Sequence, residues 1–212
     1  NPEAVAAFLR LTHDRYAQHV GDHFGTTIVA MFTDEPNPLG RGPQRGPDPQ
    51  PYTPGFLADV SAAWGEEARR WLPALWQDCG PRTAAFRRTY RRAVHARLER
   101  VFYGGQSDWC AAHGLALTGH PGGSNEMAVS RRFHWPGQDI VWRSIEPGKA
   151  SALEGPDSVA GKSAHSAAVL DGRRFNISEV LGAFGWQLTL DEVKWLLDWH
   201  LVRGTNLFIP HA

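Results

Sequence analysis

Arg174-Phe175-Asn176-Ile177-Ser178-Glu179-Val180-Leu181-Gly182-Ala183-Phe184-Gly185-Trp186 decides how the rest of the chain is read. A short strand-like run reaches a carboxylate and opens at once into a turn of glycines and aromatics. Barrel enzymes present acids to ligands in this way, on loops at the C-terminal ends of parallel strands. A second stretch repeats the pattern. Thr26-Thr27-Ile28-Val29-Ala30-Met31-Phe32-Thr33-Asp34-Glu35-Pro36 is an apolar run that ends on two carboxylates and is broken by proline.

The 212 residues suffice for one domain with a buried core, and residues 1–212 are read as a single domain. Lys plus Arg and Asp plus Glu balance at 22 each, so no overall field recruits nucleic acid or an acidic membrane surface. No apolar run reaches membrane-spanning length. The expected partner is therefore small or neutral, with no nucleic acid and no membrane. Cys79 and Cys110 are too few for a disulfide framework or a thiolate zinc site. The first residue is Asn, and no signal-like segment follows it, so the chain reads as cut from a longer precursor. Nine tryptophans supply flat rings suited to sugar faces, although most tryptophans in globular domains fill the core.

Outward from the two acidic stretches, helical and strand patterns alternate. Residues 2–22 read as one helix, with Val5, Phe8, Leu9, Thr12, Tyr16 and Val20 at steps of three and four, ended by Gly25. Residues 26–32 read as a strand, and 36–54 as a Pro/Gly/Arg-rich loop. Residues 56–76 read as a helix with Phe56, Val60, Trp64, Trp71 and Leu75 inward, and 81–102 as another whose arginines spread over several solvated faces. Further strands are expected at 115–120, 139–143, 174–178 and 206–211, with Trp135-Pro136-Gly137 as a turn. Helices are expected at 157–170 and 190–202. This alternation predicts an α/β fold with a parallel sheet covered by helices.

Parallel strands deliver their C-terminal ends to one face, so Glu35 and Glu179 can meet there despite their separation in sequence. Two facing carboxyls are the equipment of a glycosidase. One donates a proton to the leaving oxygen while the other attacks the sugar or activates water, at separations of about 5 Å for retention and roughly 6.5–9.5 Å for inversion.

Several strings resemble bacterial glycoside hydrolases with a (β/α)8 catalytic barrel, most of all the alpha-L-rhamnosidases of glycoside hydrolase family 106. They are Phe32-Thr33-Asp34-Glu35-Pro36, Trp109-Cys110 with His113-Gly114 and Thr118-Gly119-His120, and Ser178-Glu179 with Gly182-Ala183-Phe184-Gly185-Trp186. Lys194-Trp195 with Asp198-Trp199, Arg203-Gly204, Asn206 and Pro210-His211-Ala212 complete the set. In clan A barrels of this kind the acid/base ends the fourth strand and the second carboxylate the seventh. The resemblance thus assigns these roles to Glu35 and Glu179, three strands apart. It also implies that this chain is the C-terminal part of a barrel, about strands 4 to 8, with a carbohydrate substrate. Exposed sheet edges would then favour self-association.

Around the two acids, Asp34 is a candidate to orient Glu35 or bind a hydroxyl pair, and His120 and His211 stand at strand ends as candidate sugar ligands. Trp186 and Asn206 complete the candidate substrate-binding set, while His134 and His165 lack ligand spacing and Trp195 and Trp199 read as core. No cofactor is required by the spacing. The resemblance allows a calcium ion. Two other classes remain open: a non-catalytic carbohydrate-binding barrel, and a metal-dependent hydrolase, which would want more histidines at strand ends.

Overall fold

The computed structural model of the chain describes residues 1–39, 48–122 and 126–211. They divide into two compact units. The first is Asn1–Arg15 with Asn37–Gly105, the second Tyr16–Pro36 with the chain from Gln106 onward.

The first unit is helical. The single helix expected over 2–22 is two, α1 (Pro2–Leu11) and α2 (His13–Val20), of which residues 16–20 belong to the second unit. Thr12 makes the break: its hydroxyl donates to the Phe8 carbonyl at 2.7 Å, the local side-chain bond by which threonine competes with helix propagation. The expected 56–76 helix likewise stops as α3 (Phe56–Trp64) on left-handed Gly65, and a 3-10 stretch containing Pro73 follows (Ala68–Leu75). α4 (Thr83–Leu98) runs on through a π turn at Glu99–Tyr103. The residues expected to face inward do so. Phe56, Val60 and Leu75 are buried with Phe86 and Tyr90, and Trp64 and Trp71 pack against them. The Arg82 guanidinium stacks on both indoles, 4.3 and 4.8 Å from the ring centroids.

The second unit is a curled partial (β/α) barrel of five parallel strands: β1 (Ala30–Asp34), β2 (Ala116–His120), β3 (Trp135–Ile140), β4 (Ile177–Val180) and β5 (Leu207–Pro210). Their spatial order is their chain order. The predicted α/β architecture is thus present. Helix α5 (Gly104–Ala112) leads into β2 through left-handed Gly114. α6 (Met127–Ser130), α7 (Gly155–Ala160) and α8 (Ser163–Leu170) follow, and α9 (Leu190–Leu201) precedes β5. Trp199 is buried with Ile140, Ile145, Phe184 and Leu196, as its helical spacing required.

Two strand boundaries correct the sequence reading. Trp135-Pro136-Gly137 opens β3 instead of turning, because the ladder to β2 is short and runs through Thr118↔Trp135 and Gly119↔Pro136. Gly137 is needed there for close approach: a Cβ would run into the Gly119 carbonyl and lie 2.7 Å from Ile177 Cδ1. At the other end, β3 stops at Ile140, and Trp142 and Arg143 adopt left-handed backbone rather than extending the strand.

The best-capped helix is α9. Thr189 Oγ1 accepts from the Glu192 N–H, and Glu192 Oε2 accepts from the Thr189 N–H at 2.8 Å, a reciprocal capping box. Thr189→Ala is expected to lower stability by about 1 kcal/mol, measured by urea unfolding, while Thr189→Ser is expected to be near neutral.

Candidate active site

The site is built at the C-terminal end of the parallel sheet. β1 and β2 run in register with Asp34 opposite His120, and β3 and β4 with Asp139 opposite Glu179. Glu35 follows β1 directly, in a left-handed conformation (φ 33°), with its N–H donating to the His120 carbonyl at 3.3 Å. Side chains alternate along a strand. On β3, Gln138 is turned to the helices, its amide donating to the Gly161 carbonyl and accepting from the Ala164 N–H. Its neighbour Asp139 is thereby presented to the opposite face, toward Glu179 and His120.

His120, 1% exposed, is the hub. Its Nε2 lies 3.0 Å from Glu179 Oε2, and since a carboxylate only accepts, the imidazole donates there. Asp34 Oδ1 lies 3.9 Å from Nε2, and Glu35 Oε1 lies 3.9 Å from Nδ1, both at ion-pair rather than hydrogen-bond distance. Glu35 and Glu179 thus approach opposite nitrogens of one ring. That span keeps their carboxyls below about 10 Å apart, within the range glycosidases use. They differ in exposure: the Glu35 side chain is 42% exposed and Glu179 13%.

A cavity of about 380 Å³ opens beside the cluster, lined among others by Glu35, His120, Asp139, Trp142, Ser144 and Asp157. Glu179 is not among its lining residues, and its carboxylate is hydrogen-bonded to His120, which is. Two buried polar atoms at this place lack hydrogen-bond partners, His120 Nδ1 and Asp139 Oδ1. Unpartnered buried polar atoms beside a cavity are the mark of a site that binds something.

Asp139 is the acid that sequence reasoning misses. The sequence presents it only as part of a strand, although it stands one residue before the last of β3, as Glu179 does in β4. Burial pushes its carboxyl up to about 6, with Glu179, Glu35 and Asp34 adding to the shift and His120 opposing it. The sign follows from proton binding. A carboxyl that titrates near 6 when folded and near 3.9 when unfolded binds protons more tightly in the folded state. Its ionisation therefore costs stability progressively as pH rises from about 4 through 6. The full shift corresponds to about 3 kcal/mol, and the half-buried position screens this to roughly 1 kcal/mol. In metal-free buffer Asp139→Asn is expected to stabilise the protein by that amount at pH 7 and to leave it unchanged near pH 4. Thermal unfolding across that range measures the effect, and equal melting curves at pH 7 would contradict it.

The remaining predicted site residues separate. His211 Nε2 comes within 3.9 Å of Glu179 Oε1 and belongs to the cluster. Trp186 is fully exposed on the loop after β4 and is not in the cavity wall. Asn206 precedes β5, at the N-terminal end of the sheet, and is not brought to the cluster. Its side chain there accepts from the Asn176 N–H and donates to the Arg174 carbonyl, so it ties the entries of β4 and β5. His134 is structural, its Nδ1 accepting from the Leu117 N–H. Neither cysteine is bonded to the other.

The donor atoms of Asp34, Glu35 and His120, and those of His120, Asp139 and Glu179, lie within 4.8 Å of one another in each trio. This set fits a divalent cation. The preponderance of carboxylate oxygens suits a hard ion such as calcium, whose shell of 6–8 oxygens would be completed by water or ligand hydroxyls. The single imidazole is the less usual donor for calcium.

No protein-family model matches the chain, and no curated protein matches it. Among solved structures it is similar to a rhamnosidase from Novosphingobium sp. PP1Y, with a TM-score of 0.74 and 21% identity over the whole of this chain. The chain spans 20% of the length of that protein. The likeness is one of fold: these strands and helices are arranged as in part of that much longer chain.

Proposed function

We propose that the chain carries the paired carboxylates of a glycoside hydrolase acting on alpha-L-rhamnosides, as in glycoside hydrolase family 106. The observation that carries this reading is the approach of Glu35 and Glu179, three strands apart, to the two nitrogens of His120 at the C-terminal end of the sheet. Glu35, in the cavity wall and the more exposed, is the general acid that protonates the leaving oxygen. Glu179, the less exposed of the two and held by the His120 N–H, is the carboxylate that attacks the sugar or activates water. His120 positions both acids. Asp34 and His211 flank them as hydroxyl-binding groups, and Asp139, with one unpartnered oxygen, is a further contact for a sugar hydroxyl.

Support comes from the fold-level likeness to a protein named as a rhamnosidase and from the resemblance of the acidic strings. A calcium ion held by these carboxylates would polarise bound hydroxyls, and the acid and base steps above rest on the two glutamates alone. Among the described residues β1 and β5 pair on one side only, so association through sheet edges is a further part of the proposal. The test is hydrolysis of a panel of aryl glycosides by the full-length protein. Release of phenol from the aryl alpha-L-rhamnoside ahead of the other sugars is expected, and no release from any member of the panel would refute the reading. A metal-dependent hydrolase is the second reading, favoured only by the carboxylate-imidazole trios. It requires activity that disappears with a chelator and returns when a divalent cation is restored.

A further inference from the structure

We propose that Trp142 is the platform on which the leaving-group ring of the substrate stacks, an aryl or pyranose ring laid face-on at the mouth of the cavity that contains Glu35. The inference deepens the glycosidase reading and rests on it for the word substrate.

Three observations converge on this residue. Trp142 lines the same cavity as Glu35, His120 and Asp139, and it is 77% exposed. An apolar ring so placed contributes little to the core, and a flat ring at the rim of a polar cavity is suited to the apolar face of another ring. The second observation is backbone strain. Trp142 and Arg143 lie at φ of 60° and 50°, where bulky residues are genuine outliers. Strain of this kind persists only when the surroundings over-determine it, and it collects at ligand-binding places.

The third observation is the set of contacts that does the over-determining. Arg143 donates to the Phe184 carbonyl at 2.9 Å, to Glu146 at 2.7 Å and to Glu192 at 3.3 Å, with its guanidinium over the Phe184 ring. Its carbonyl accepts from Lys149, and the Trp142 N–H donates to the Gly182 carbonyl at 3.1 Å. Every one of these contacts is made by the backbone or by Arg143. Among the described residues the Trp142 side chain makes no hydrogen bond or ring pair, and it stands open to a ligand.

The leaving-group side follows from the neighbours. Glu35, the proton donor to the leaving oxygen, is open to solvent, whereas His120 and Asp139 are the more enclosed walls. A reacting sugar placed against the enclosed groups projects its leaving group past Glu35 to the mouth, where Trp142 stands.

Thioglycosides, whose sulfur link resists hydrolysis, test this without turnover. Binding of methyl, phenyl and glucosyl thio-alpha-L-rhamnosides to the full-length protein is measured by calorimetry for the wild type, Trp142→Ala and Trp142→Phe. Trp142→Ala is expected to weaken the phenyl and glucosyl ligands by about 5- to 10-fold, the worth of one aromatic stack, and to leave the methyl ligand unchanged. Trp142→Phe, which keeps a ring, is expected to recover most of the loss. An effect on the phenyl ligand alone selects an aryl leaving group, and an effect on both ring ligands selects ring stacking in general. Equal weakening of all three ligands, no weakening of any, or no binding by the wild type overturns the proposal. If the ring ligands bind through Trp142 while no O-glycoside is hydrolysed, the hydrolase reading fails and the platform stands.

Discussion

Glu179→Gln in the full-length protein is expected to reduce hydrolysis of every rhamnoside by about 10³- to 10⁴-fold, whatever its leaving group. Glu179 is held in one place by the His120 N–H at 3.0 Å and is largely withdrawn from water. The amide keeps the shape of the side chain but can neither attack the sugar nor take a proton from water. Its carbonyl still accepts from His120, so the cluster keeps its geometry and the loss is chemical rather than structural.

Glu35→Gln separates the two roles, because a general acid matters when the departing oxygen is basic and little when it is an activated phenolate. Turnover of a natural glycoside is expected to fall about 10²- to 10³-fold, while an aryl rhamnoside with a good leaving group loses less than about tenfold. Unfolding curves of the two variants exclude a folding defect. Near-normal turnover in Glu179→Gln on either substrate would remove Glu179 from the chemistry.

The strand-then-acid pattern is legible because it is local. An apolar run, a carboxylate and a Pro or Gly break lie close together in sequence at both Glu35 and Glu179, and parallel strands convert that local pattern into a shared face. Asp139 carries the same information in weaker form. It is hidden because Trp135-Pro136-Gly137 reads as a turn, whereas here the proline sits in a two-residue ladder and the glycine answers a close approach that only coordinates reveal. Asn206 lies apart from the cluster for the converse reason: it stands at the N-terminal end of β5, and the strand boundary decides which end a residue occupies. The helix breaks at Thr12 and Gly65 turn on one hydroxyl bond and one left-handed residue, both invisible to apolar periodicity. His120 is marked in the sequence by its place at a strand end. Its role as hub among Asp34, Glu35, Asp139 and Glu179 depends on the register of β1 against β2 and of β3 against β4, which periodicity does not fix.

That register hangs on Gly119. It stands opposite Thr33 on β1 and Pro136 on β3, at φ 117°, a region closed to L side chains. A Cβ added there would run into the Thr33 carbonyl oxygen and lie 2.8 Å from both Thr33 C and Thr33 N, all of them backbone atoms. No rotamer change relieves such a clash; β1 must move away from β2, and the Asp34 and Glu35 pair moves with it. Gly119→Ala is therefore expected to cost more than about 4 kcal/mol, in the class of exceptional single substitutions, and to appear as insoluble or unfolded protein. Two other glycines calibrate the effect. Gly172, at φ 61° and with nothing within 4 Å of where a Cβ would stand, meets only left-handed strain and should cost about 1 kcal/mol on replacement by Ala. Gly21, with ordinary φ and open space, should be near neutral. Urea unfolding of the three alanine variants gives the order. A Gly119→Ala protein whose stability lies within about 1 kcal/mol of the Gly172 variant would mean that β1 can leave β2 cheaply, and that the His120 hub is not fixed by the sheet.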